Sequence, residues 1–104
     1  MNVFVATGNV CGDVRREMKH GDRVEARFRL AVDRDFKNAD GKRDADFYTV
    51  ICIRHEAEYA IDRVTKGARI AVTGTLSCRE IHDDDGTTRF DNVIFANKLE
   101  VQPK

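Results

Sequence analysis

Arg23-Val24-Glu25-Ala26-Arg27-Phe28-Arg29-Leu30-Ala31-Val32-Asp33 and Phe47-Tyr48-Thr49-Val50-Ile51-Cys52-Ile53-Arg54 are the two runs that decide the fold. The first sets Val24, Ala26, Phe28, Leu30 and Val32 on one face and Arg23, Glu25, Arg27, Arg29 and Asp33 on the other, the period of a half-buried strand. The second is apolar almost throughout, which predicts a strand covered on both faces. Between them Asp35 to Arg43 is polar, contains Asn38-Ala39-Asp40-Gly41 and carries Lys37, Lys42 and Arg43, so it reads as a mobile hairpin loop.

Working outward, Val3 to Val10 is apolar and β-branched, with a bend expected at Gly8-Asn9, where side chains would crowd. Asp13 to Lys19 lacks a clear period and predicts an irregular, partly paired segment before a turn at His20-Gly21-Asp22. Glu56 to Val64 is the only helical pattern, with Ala57, Ala60, Ile61 and Val64 on one stripe and Gly67 suited to a left-handed C-terminal cap. Arg69 to Ile81 alternates again, Asp83-Asp84-Asp85-Gly86 makes a turn, and Thr88 to Leu99 is a last strand. Five strands with one short α-helix between strands 3 and 4, and protruding β-hairpin loops, is the order of an all-β oligonucleotide-binding barrel, the OB-fold.

At 104 residues the chain has room for one domain, taken as 1–104. Lys and Arg together number 18, as do Asp and Glu, so net charge favours no class of partner and only the placement of charge can argue for a polyanion. Met1 to Gly8 has neither the basic start nor the apolar core of a signal peptide or membrane span, which predicts a cytoplasmic protein without a membrane partner. Cys11, Cys52 and Cys78 are odd in number and unpaired in spacing, as expected of small buried apolar groups in a reducing compartment. There is no CxxC, and His20, His55 and His82 stand far apart, so no metal or other cofactor is expected. No Gly-rich phosphate loop or nucleophile elbow is present either, which argues against an enzyme and a small-molecule substrate.

The two deciding strands carry aromatic rings and arginines at their ends around a basic loop, the ingredients of a surface on which unpaired bases stack. Phe36 opens the loop with no core to enter; Phe47 shares parity with Thr49, Ile51 and Ile53; Phe90 follows the last turn. Each is a candidate stacking ring, against the plainer reading of a packed or folded-back side chain. Phe4, Phe28 and Phe95 lie within apolar strands and are assigned to packing. Arg34, Arg54 and Arg79 end alternating strands beside those rings and would hold phosphates, with Arg29, Lys37, Lys42 and Arg43 extending the track; the plainer reading is solvated charge paired with a nearby carboxylate. Asp83-Asp84-Asp85 would sit badly beside phosphate and belongs at a hairpin tip turned away, or against a neighbouring loop cation.

Along nearly its whole length the chain resembles the bacterial-type single-stranded DNA-binding proteins. The resemblance lies in Met1-Asn2 with Gly8-Asn9, Phe28-x-Leu30-Ala31-Val32-x-Arg34, Gly41 with Asp46-Phe47, Ala57-Glu58 with Lys66-Gly67, Val72-x-Gly74-x-Leu76-x-x-Arg79, and Asp85-Gly86. It implies an OB barrel that wraps single-stranded DNA without sequence preference, usually as a homotetramer, with a dimer as the next choice. Two departures accompany it. The positions matching Ile53 and Ile81 commonly carry a ring that stacks on a base, and each missing stack removes about 1 to 3 kcal/mol per base, predicting weaker or shorter-footprint binding. The flexible tail with an acidic, aromatic tip that in such proteins recruits partners has no counterpart after Glu100-Val101-Gln102-Pro103-Lys104. Zero net charge and these departures also fit an alternative, an OB-fold accessory module of a primosome or mobile-element complex that chiefly binds protein.

Overall fold

A computed structural model describes residues 1–19 and 21–103, so His20 of the expected turn and Lys104 lie outside the described residues. Its elements are β1 (Phe4–Val10), β2 (Arg15–Lys19), β3 (Arg23–Lys37), β4 (Arg43–Ile53), α1 (Arg54–Arg63), β5 (Arg69–His82) and β6 (Thr88–Val101). They form one sheet in the order β1-β5-β6-β4-β3-β2, and β1 also pairs with β3 at Asn9↔Ala31 and Val10↔Leu30. That extra pairing closes a ring of β1, β3, β4, β5 and β6, with β2 hydrogen-bonded outside it to β3. Counted around the ring, α1 falls between the third and fourth barrel strands, and the OB-fold expected from the order of elements is the fold found. The β4–β6 pairing is parallel, through Thr49↔Val93 to Ile51↔Phe95; the other ladders are antiparallel.

Alternation in β3 does what its pattern requires, with Ala26, Phe28 and Leu30 buried on the inner face against Val50, Cys52, Ile70, Val72 and Ile94. Thr49, Val50, Ile51 and Cys52 are all buried, so β4 is covered on both faces as its continuous apolar run implies. α1 plugs one end of the barrel with Ala57, Ala60 and, just past its end, Val64. Two side chains tie it to β6: Glu56 accepts from the Leu99 amide at 3.0 Å and the Tyr59 hydroxyl from the Val101 amide at 3.1 Å. Gly8 is required by closure, because a Cβ there would collide with the carbonyl oxygen of Ala31 where β1 crosses β3.

Four local expectations are corrected. Residues 15–19 are a regular strand, paired from Arg15↔Arg27 to Lys19↔Arg23. β3 runs on to Lys37 and β4 starts at Arg43, so the loop shrinks to five residues, 38–42, braced by the Asn38 carboxamide oxygen accepting from the amides of Asp40 and Lys42. α1 starts at Arg54, whose φ of 54° turns the chain from strand to helix, and it ends on an extended Val64 rather than a glycine cap. Gly67, at φ 85°, instead shapes the following turn and donates its amide to the Val10 carbonyl at 2.8 Å. Among the cysteines only Cys52 is buried; Cys11 follows β1 at its exit and Cys78 lies where β5 leaves the barrel, and both are exposed because no core extends to either place.

Candidate nucleic-acid interface

The outer face of β3, β4 and β6 is built by strand alternation. Phe47, Thr49, Ile51 and Ile53 point outward from β4, opposite Ala31, Arg29, Arg27 and Glu25 of β3, and Phe95 of β6 stands beside Ile51. Phe47 is 51% exposed and Ile53 37%. Phe47 faces outward by register: its neighbours Tyr48 and Asp46 take the inner parity, with the Tyr48 ring 5.1 Å from that of Phe4. Phe95 departs from its assignment to packing. It lies on the outer face with the Arg79 guanidinium 4.8 Å from its ring centroid, and Ile81 shares that parity on β5.

Several of the expected cations are already engaged. Arg29 donates from Nη1 to the Thr49 hydroxyl at 2.9 Å and to Asp91 at 3.3 Å, while the Thr49 hydroxyl donates to Asp91 at 3.0 Å, tying β3, β4 and β6 together. Arg34 donates to Asp46 from Nη2 at 2.9 Å and from Nε at 3.2 Å, and this hydrogen bond and the carboxylate charge raise its pKa further above the ordinary arginine value. Arg43 donates to the carbonyls of Arg34 and Asp35 at 3.2 and 3.1 Å, where the β3–β4 register slips between Asp33 and Lys37. Lys37, at the end of β3, and Lys42, within the 38–42 loop, are exposed. Arg54 stands at the far end of β4 from Phe47, in a depression shared with Asp22, His55 and Glu58.

The three candidate rings are all on the surface, but not in one row. Phe36 is 83% exposed and, within the register slip, lines a cleft of about 780 Å³ with Arg34, Arg43, Arg69, Val5 and Thr7, on the side of the β3–β4 arm away from Phe47. Phe90, 69% exposed, pairs with Glu80 and so takes the face of the β5–β6 ribbon opposite Arg79 and Ile81. The acidic run occupies the tip of that ribbon as expected. Asp83 pairs with Arg89 at 3.2 Å, and the Thr87 side chain together with the Thr87 amide, from which Asp85 accepts at 2.9 Å, holds the Asp85 carboxyl below the usual range.

Sequence reasoning missed Phe95, Arg69 and Asp91. Val93-Ile94-Phe95-Ala96 is continuously apolar, so no period tells which side Phe95 takes; the β5–β6 register supplies it. Among the described residues no His, Cys, Asp or Glu group could hold a metal ion, and no helix is long and apolar enough to cross a membrane.

Comparison with known proteins agrees with this geometry. A profile of the Single-strand binding protein family matches residues 1–102. The chain is 31% identical over 104 residues to Single-stranded DNA-binding protein 4 of Streptococcus agalactiae serotype V, covering 100% of this chain and 75% of the relative. It is 31% identical to Single-stranded DNA-binding protein 1 of Streptococcus pyogenes serotype M18, covering 100% and 80%. Against the Single-stranded DNA-binding protein of Streptococcus mutans serotype c, 28% identical, it spans 62% of the relative's length. The crystal structure of the small single-stranded DNA-binding protein from Streptomyces coelicolor superposes with a TM-score of 0.82 at 25% identity, covering 96% of this chain and 93% of that one. With a closed OB barrel, a ring-bearing outer face and a family match over nearly every residue, this chain belongs to the single-strand binding protein family.

Proposed function

We propose that the chain, as one binding unit, covers unpaired DNA without sequence preference during replication, recombination and repair, and makes and breaks no bond in doing so. The observation that carries this is the outer face of β3, β4 and β6, where Phe47 stands exposed in line with Ile51 and Ile53, and Phe95, with Arg79 over it, lies beside Ile51. Bases stack on Phe47, with Phe36 and Phe90 as further rings; Arg34, Arg54 and Arg79, with Arg29, Lys37, Lys42 and Arg43, draw the phosphates. Because Phe36 and Phe90 lie off the Phe47 face, a strand that touches all three wraps around both arms rather than running straight. Isoleucine at positions 53 and 81 leaves two places without a ring and lowers affinity or footprint accordingly.

Assembly follows from β1. Among the described residues only Asn9 and Val10 are paired on its β3 side, so Phe4 to Thr7 form an open edge that carries Val5 and adjoins Val3, which are 69% and 65% exposed. A homotetramer covers that edge, with a dimer as the lesser assembly, and the setting is the cytoplasm, at the nucleoid.

The rival reading, an accessory OB module that chiefly binds protein, is favoured by the carboxylates that occupy Arg29 and Arg34 and by the zero net charge. Titration of a labelled oligo-dT of about 35 nucleotides, enough for several OB-folds at roughly 4 to 16 nucleotides each, separates the two. Affinity that falls steeply with salt supports the DNA reading, since released counterions drive such binding; absent or salt-independent binding overturns it.

A further inference from the structure

We propose that the groove between the β2–β3 hairpin and β6 is a base-and-phosphate subsite, in which a nucleobase lies on the Phe95–Arg79 stack and the neighbouring phosphates are held by Arg23 and Arg27. The inference rests on the single-stranded DNA reading and adds to it Phe95, Arg23 and Arg27.

The groove, about 330 Å³, has an apolar floor of Ile51, Ile53 and Phe95 and is walled by Arg23, Arg27 and Arg79. In a chain with no net charge this is a local excess of cation, since the carboxylate set among those three guanidinia is Glu25, itself only 6% exposed. Glu25 does not satisfy them. Arg23 and Arg27 each approach it at 3.7 Å, beyond hydrogen-bond reach, and the Nε of each is shielded from solvent with no partner. Shielded guanidinium donors without an acceptor are costly, and turning either fork onto a phosphate would satisfy them, bidentately if the geometry closes. Arg79, its guanidinium carbon 4.8 Å from the Phe95 ring centroid, covers the ring and makes with it a platform that a base can share, by stacking on the guanidinium or displacing it. The ring that positions 53 and 81 lack is thus supplied one strand over, on β6 beside Ile51.

The test uses the whole chain and labelled oligo-dT over a salt series. Phe95→Leu keeps the apolar floor and removes the ring; it is expected to weaken binding about tenfold with the salt slope unchanged. Arg27→Gln is expected to lower the slope of log affinity against log salt by about 0.7, the share of one phosphate on a single strand. The Nε–H signals of Arg23 and Arg27 in the parent protein should shift on adding the oligonucleotide, a readout that decides the matter even if a variant fails to fold. If the parent binds and Phe47→Ala weakens it, while folded Phe95→Leu and Arg27→Gln bind as the parent does and the two Nε–H signals stay still, the subsite is wrong and the DNA reading stands. If the parent itself does not bind, the DNA reading falls with it.

Discussion

At the scale of single residues, the question for each expected phosphate contact is what the side chain must release first. Arg34 would have to leave a two-pronged contact with Asp46, whereas Arg79 rests on the Phe95 ring with, among the described residues, no carboxylate to release. Asp46→Asn should therefore strengthen oligo-dT binding and steepen its salt dependence with little change in melting temperature, because the pair is solvent-exposed; an unchanged affinity would mean Arg34 never meets DNA. Cys52 gives a second residue-level prediction. Burial, and to a smaller degree the Glu56 charge, push its thiol from 9.0 up to about 12. Below pH 9 the thiol is protonated in both folded and unfolded chains; between about 9 and 12 only the unfolded chain ionises, so stability is lost as pH rises through that window. Urea midpoints at pH 8 and 10.5 should therefore fall further for the parent than for Cys52→Ala, and a thiol reagent should label Cys11 and Cys78 but spare Cys52 in the native protein.

At the scale of elements, what binds the outer face together is the Arg29–Thr49–Asp91 tie across three strands. Asp91→Ala leaves the nearly buried Thr49 hydroxyl without its acceptor and should cost about 1–3 kcal/mol in chemical unfolding, while freeing Arg29 for phosphate; a loss within error would make the tie incidental. This is also the scale at which the sequence was legible and where it stopped being so. β3, β4, α1 and the β5–β6 hairpin announce themselves because each buries a face, and a buried face leaves a period in the sequence. β2 does not: Arg15, Arg16, Met18 and Lys19 are all exposed, so the strand is held by its ladder to β3 and carries no apolar alternation. The same reason hid the extension of β3 to Lys37, where five consecutive residues are exposed and the register slips. Phe36 could be read as a surface ring from composition, and because the slip shifts the pairing by two residues it keeps the parity of Phe28 and Leu30, on the side of the arm away from Phe47.

At the scale of the whole molecule, the arrangement of rings on different sides of two arms has consequences only if DNA bends around the protein, and that depends on how many barrels stand together. A single barrel offers few stacking rings, and two of the positions that could add more are isoleucine. Joining copies through β1 raises the effective concentration of each further face for a strand already bound, so long oligonucleotides gain more than short ones without any new contact. The open edge from Phe4 to Thr7 and the outward Val5 are what such a junction would use. Val5→Lys places a charge in that apolar patch and should lower the mass measured by light scattering while leaving circular dichroism unchanged, because Val5 lies outside the core. In the same variant, binding of an oligonucleotide short enough for one barrel should be preserved and the extra affinity for a longer one reduced. Should the mass stay that of an assembly, the junction lies elsewhere; should the mass fall while the preference for long strands persists, wrapping would be a property of the single barrel and its two arms.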